Sequence, residues 1–122
     1  MAELREIAVL GSVGATLGWD QEVMMPPAAA ALRGEQAALL SALAHERRTA
    51  PALGELLARC EADAEIMADP DAGANLRNLR HDYDRLTKLP TELVREMAET
   101  SALGMHAWRE HREANNFAGF AP

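Results

Sequence analysis

Gly18-Trp19-Asp20-Gln21-Glu22-Val23-Met24-Met25-Pro26-Pro27 is the stretch on which the reading of this chain turns. It closes an apolar run with two consecutive prolines, and an alanine-rich segment follows. Pro26 has no backbone N–H and disfavours helical geometry in the residue before it, so a helix arriving from the N-terminal side breaks near Met25. Pro27 suits the first turn of the next helix. The stretch therefore predicts a corner between two helices. Trp19 is expected to be its apolar anchor, with Met24 and Met25 as adaptable filler.

Working outward, a first helix is expected from about Glu3 to Val23. Leu4, Ile7, Leu10 and Leu17 mark one apolar side, and Val9 and Val13 widen it. Gly11, Gly14 and Gly18 form a line of small residues. Each interior glycine costs roughly 1 kcal/mol against alanine, so the line predicts close approach by another backbone. A second helix is expected from Ala28 to Arg48, with Leu32, Gln36, Leu39, Leu40 and Leu43 at helical spacing. Arg33 and Gln36 lie near its start, where they can pair with the corner.

Pro51 opens a third helix with Thr49 as N-cap. Its stripe of Leu53, Leu56, Leu57, Cys60, Ala64 and Met67 carries it past residue 64. Asp69-Pro70-Asp71 reads as a stop and a new N-cap. The fourth helix carries Leu76, Leu79, Tyr83 and Leu86, and Lys88-Leu89-Pro90 ends it. The fifth runs from Thr91 to about Ala114, with Val94, Met97, Ala98, Ser101, Met105 and Trp108 as its seam. The tail from Asn115 to Pro122 reads as a loop. No period-two run of β-branched residues appears. The expected fold is all-α, a single domain over 1–122 with about five helices in an antiparallel, bundle-like array and no sheet. Trp19, Trp108, Tyr83 and Phe120 are its expected structural anchors.

Composition narrows the function classes. The chain has 122 residues, 48% of them hydrophobic but only 4% aromatic, so the core must be built from aliphatic side chains. A formal net charge of −7 argues against nucleic-acid partners and anionic membrane surfaces. The run Ile7 to Trp19 is too short to span a bilayer. Cys60 is the single cysteine, which excludes an intrachain disulfide and a cysteine-based zinc site. The acidic N-terminus does not suit a secretory leader. A cytoplasmic location is the expectation.

Few residues suggest chemistry. His45-Glu46-Arg47-Arg48-Thr49 comes close to the H-E-x-x-H zinc motif, in which two histidines one turn apart hold the metal and the glutamate acts as base. Thr49 stands where the second histidine belongs, so the string reads as an exposed helix end. His81, Asp82 and Asp84 point to different sides of a helix. His106 and Glu110 share a face. A small-ligand bundle around Gln21, Gln36 and His106 is a weaker option, because nothing polar converges in the expected core. The residues by themselves describe a helical domain without a visible active site.

A resemblance adds more. The string from Trp19 to Pro27, followed by an alanine-rich helix with Arg33 and Gln36, resembles the N-terminal region of the carboxypeptidase Taq family of zinc metallocarboxypeptidases. Leu39-Leu40, Leu43-Ala44-His45-Glu46, Asn75-Leu76-Arg77 through Tyr83, and Lys88-Leu89-Pro90 with Leu93-Val94 follow in the family's order. Trp108-Arg109-Glu110 with Arg112, Asn115-Asn116-Phe117 and Phe120-Ala121-Pro122 complete it. The family tends to have alanine where His111 stands and aspartate where Asn116 stands. Losing that acid would remove a cap or ion pair after the fifth helix.

The resemblance implies that the zinc-binding H-E-x-x-H helix and the substrate-binding motifs lie beyond the point matching Pro122. This chain would then be a helical wall and lid beside the groove, with no catalytic, cofactor-binding or metal residue of its own and no activity alone. Zinc and the peptide substrate would belong to the complete enzyme. The implied partner is the missing catalytic region or a second copy. The alternative is a stand-alone, self-associating helical module with no peptidase role.

Overall fold

A computed structural model describes residues 2–120, with side chains from 4 to 119. Its elements are α1 (Ala2–Val23), a 3-10 turn (Pro27–Ala29), α2 (Ala30–Arg48), α3 (Pro51–Glu61), α4 (Ala64–Ala68), α5 (Pro70–Leu86), α6 (Thr91–Glu113) and α7 (Phe117–Phe120). No strand occurs among the described residues. Five longer helices thus form an all-α array, with short α4 between α3 and α5 and short α7 after α6, neither of which the periodicity reveals.

The long helices run antiparallel to their neighbours. Arg47 of α2 bonds Glu6 near the start of α1 at 2.9 Å, while Arg33 at the other end of α2 reaches Leu17 and Asp20. His45 lies against Leu89 just before α6, and Gly34 lies against Leu103 and Glu99 further along it. The inner side of α2 is built from Gly34, Ala38, Ala42 and His45. Small residues at this spacing let α6 come close, because there is little side chain to hold the axes apart. A Cβ on Gly34 would sit 3.3 Å from Leu103 Cγ.

A second packing centre joins the start of α1 to α3 and α5. Ile7, Leu53, Leu57 and Leu76 are buried together, with Leu4, Cys60, Ile66 and Tyr83 packed around them. Arg80 of α5 holds both carboxylate oxygens of Glu61 at 2.8 Å, and Tyr83 lies under its guanidinium. That hydrogen bonding holds the Glu61 carboxyl below its ordinary range, against a smaller opposing effect of desolvation.

Several expectations are corrected. The third helix stops at Glu61 and restarts as α4, because Asp63 turns its carboxylate onto the backbone N–H of Glu65 (2.9 Å) and Ile66 (3.3 Å). That local acceptor competes with continuing the helix. Thr49 does not cap α3; its hydroxyl donates back to the His45 carbonyl at 2.8 Å. The tail is not all loop. Asn115 takes φ of 50°, the chain turns, and α7 follows.

Trp19 is 61% exposed and Trp108 44% exposed, so neither is a buried anchor. Trp108 instead carries the Arg112 guanidinium 5.3 Å from its ring centre. Tyr83 does pack on the core, and the Phe120 side chain lies outside the described residues. The glycine line meets no close backbone: a Cβ on Gly11, Gly14 or Gly18 would find nothing within 4 Å.

Candidate functional site

The corner after α1 is a polar joint. Pro26 is extended and Pro27 starts the 3-10 turn, so the chain reverses within a few residues. The turn brings Arg33 back beneath α1. Its Nη1 donates to the Leu17 carbonyl, its Nη2 to the Asp20 carboxylate, and its Nε to Gln36 Oε1 at 3.0 Å. The Leu17 carbonyl lies nearly two turns before the end of α1, so Arg33 spans the last two turns of that helix. The expected pairing with the corner is present for Arg33, whereas Gln36 bonds Arg33 within α2 rather than the corner itself.

The inner surface is more polar than expected. Gln21, Arg33 and His45 are all buried. Gln21 Nε2 donates to the Ala102 carbonyl at 3.0 Å, tying α1 to α6. Arg109 of α6 returns the tie, donating to the Gln21 carbonyl at 3.3 Å and to Glu22 at 2.5 Å. Arg33 and Arg109 thus bind α1, α2 and α6 into one joint.

His45 is not part of an exposed helix end. It is 4% exposed, and its Nε2 lies 2.9 Å from the Leu89 carbonyl, while Nδ1 is sealed from solvent without a partner. Glu46 stays exposed on the helix surface, and the Thr49 hydroxyl is spent on the His45 carbonyl. A zinc ion needs three or four convergent donors. These residues do not fit one, and no group of three His, Cys, Asp or Glu that could hold a metal occurs among the described residues.

His106 and Glu110 share a face as expected, and both border a cavity of 450 Å³ between α6 and the corner. Gln36 takes no part in it, because it is held by Arg33. Of the weaker small-ligand trio, Gln21 and His106 do meet at the cavity, while sequence reasoning missed Arg109. The signal for Gln21 was its place in an otherwise apolar series with Leu10, Gly14 and Leu17.

The profile of the carboxypeptidase Taq (M32) metallopeptidase family matches residues 1–122. The chain belongs to this family. Among curated carboxypeptidase Taq-family relatives, Thermostable carboxypeptidase 1 of Thermus thermophilus is 37% identical over 120 residues, which cover 97% of this chain and 23% of that protein. Thermostable carboxypeptidase 1 of Pyrococcus furiosus is 30% identical over 122 residues, covering 100% of this chain and 24% of that one. The chain thus spans about a quarter of the length of the curated relatives it matches. No solved structure matches it. Among the described residues, no helix is long and apolar enough to cross a membrane.

The two departures from the family pattern touch each other. Asn116 Nδ2 donates to His111 Nδ1 at 3.3 Å, and Gly119 packs so close to the His111 ring that a Cβ there would lie 2.4 Å from it. The expected loss of a cap does not occur: Asn116 Oδ1 accepts from the Gly119 N–H at 3.2 Å and caps α7.

Proposed function

We propose that this chain is the non-catalytic N-terminal helical region of a carboxypeptidase Taq-type metallopeptidase, forming a wall and lid beside the groove. The carrying observation is a family match along the whole chain with relatives about four times its length. The sequence contains no H-E-x-x-H, and its nearest approach is engaged in packing by His45 and Thr49. Zinc and the peptide substrate belong to the complete enzyme in this reading. There zinc would activate the water that cleaves a C-terminal peptide bond.

The exposed apolar faces support it. Leu32, Leu39 and Leu43 share one side of α2, turned away from the Ala38 and Ala42 face, and all three are exposed. Val9, Val13 and Val23 are exposed on α1. The rest of a carboxypeptidase Taq-type chain is the occupant proposed for these faces. The acidic charge speaks against nucleic acid and anionic membranes as partners, and the lone Cys60 suits a reducing, cytoplasmic setting. Incubation with a peptide bearing a free C-terminus, with and without added zinc, is expected to release no amino acid. Chelator-sensitive release by this chain alone would overturn the proposal.

The second reading is a self-associating helical module. It is favoured by the open space over Gly11, Gly14 and Gly18, where a second copy's helix could approach closely. Light scattering across a size-exclusion peak tests it. A homodimer is expected, and a monodisperse monomer at high concentration would refute it.

A further inference from the structure

We propose that the cavity between α6 and the Pro26–Pro27 corner is a binding site for an organic cation with an aliphatic stem, and that a peptide arginine side chain is the ligand it takes. The proposal does not depend on any peptidase role. The cavity measures 450 Å³, within the range of small-ligand sites and large enough for one long side chain. Met25 and Met105 supply apolar, adaptable wall. Glu110 and Glu113, three apart on α6, stand on the same cavity and are exposed.

The charge at the cavity is unbalanced. Arg109 also borders it, but its guanidinium is matched by Glu22 at 2.5 Å and tied to the Gln21 carbonyl. No described side chain forms a salt bridge with Glu110 or Glu113. Two carboxylates at the cavity are thus left without a salt-bridged cation.

An independent observation points the same way. Gln21 lines the cavity and is 9% exposed. Its Nε2 is fixed by the Ala102 carbonyl, so the amide orientation is set. Its Oε1 receives no hydrogen bond from a described residue and is not sealed from solvent. A held carbonyl oxygen with two carboxylates at the rim offers only acceptors. Five N–H groups in a planar fork match that set better than a compact ammonium. The three methylenes of an arginine stem would lie along Met25 and Met105.

The test is an NMR titration of the full chain, following the Gln21 side-chain amide and the methyl groups of Met25 and Met105. The probes are N-acetyl-arginine amide, its neutral isostere N-acetyl-citrulline amide, and 1,4-diaminobutane as a free diamine. Saturable shifts at all three reporters are expected with the arginine probe, with at least about tenfold weaker binding of the citrulline probe. Glu110→Gln combined with Glu113→Gln should weaken the arginine probe by about tenfold or more. Glu55→Gln, exposed on α3, should leave it unchanged. Equal binding of arginine and citrulline probes would overturn the site. So would shifts that survive the double substitution. Tighter binding of the diamine would overturn the assignment to a guanidinium.

Discussion

Arg33→Met is the sharpest perturbation of the corner. It keeps an unbranched stem of similar length and removes the cation with its three hydrogen bonds. The Arg33 side chain is 10% exposed and that of Asp20 is 37% exposed. Breaking a fully buried ion pair costs about 3–5 kcal/mol. Asp20 is open enough to rehydrate, and Gln36 can turn to water, so the cost falls to about 2–3 kcal/mol. With a urea slope of about 1–3 kcal/mol/M, the unfolding midpoint should drop by about 0.7–3 M. A cycle with Asp20→Asn should show a coupling of about 1 kcal/mol or more, because the two groups share one joint. A loss below about 0.5 kcal/mol, or a cycle with no coupling, would refute the idea that the guanidinium holds the corner.

Other expectations follow from single residues. Glu61→Gln should flatten the acid limb of stability. The native pKa of Glu61 lies below its ordinary 4.5, so the pair's contribution is complete above that value and is lost as pH falls through the lower native one. Urea midpoints at pH 3 and pH 6 would check this. Gly11→Ala and Gly18→Ala should each raise stability by roughly 0.5–1 kcal/mol, since the added methyls meet nothing and the helix gains propensity. Thermal melts of the monomer would show it. Leu57→Ala should cost about 2–5 kcal/mol, as expected for a buried core leucine. Trp108→Ala should cost well under the ~3–5 kcal/mol of a buried tryptophan, because its ring is 44% exposed; denaturant midpoints would compare the two.

Local chemistry in the sequence located most elements. Pro26-Pro27 marked the corner, Asp69-Pro70 the start of α5, and Pro90 the start of α6, because proline's missing donor and fixed φ act wherever the residue stands. The break at Asp63 was hidden by a leucine stripe that runs on through Ala64 and Met67. A two-residue capping event outweighed that periodicity. Burial was harder to read. Trp19, Val9 and Leu39 have side chains that usually lie inside, yet they lie exposed. Hydrophobicity records what a surface would prefer to meet, not whether this stretch of chain supplies it. The buried His45 was misread for the converse reason: its acceptor, the Leu89 carbonyl, is 44 residues away. The cavity was half visible, since His106 and Glu110 share a helical face, while Gln21 reaches it only through tertiary packing.

The contact of His45 with Leu89 also divides the molecule. It pins the end of α2 to the threshold of α6, so α3, α4 and α5 hang between two fixed points as a closed loop of helices. Their own core is Leu53, Leu57 and Leu76, and from α1 it takes Ile7 and Leu4. The α2–α6 pair shares none of those residues. Opening of the looped segment therefore need not disturb the pair. The chain should exchange its amide hydrogens as two cooperative units, with the α3–α5 segment and the first turns of α1 opening together and the amides of α2 and α6 protected separately.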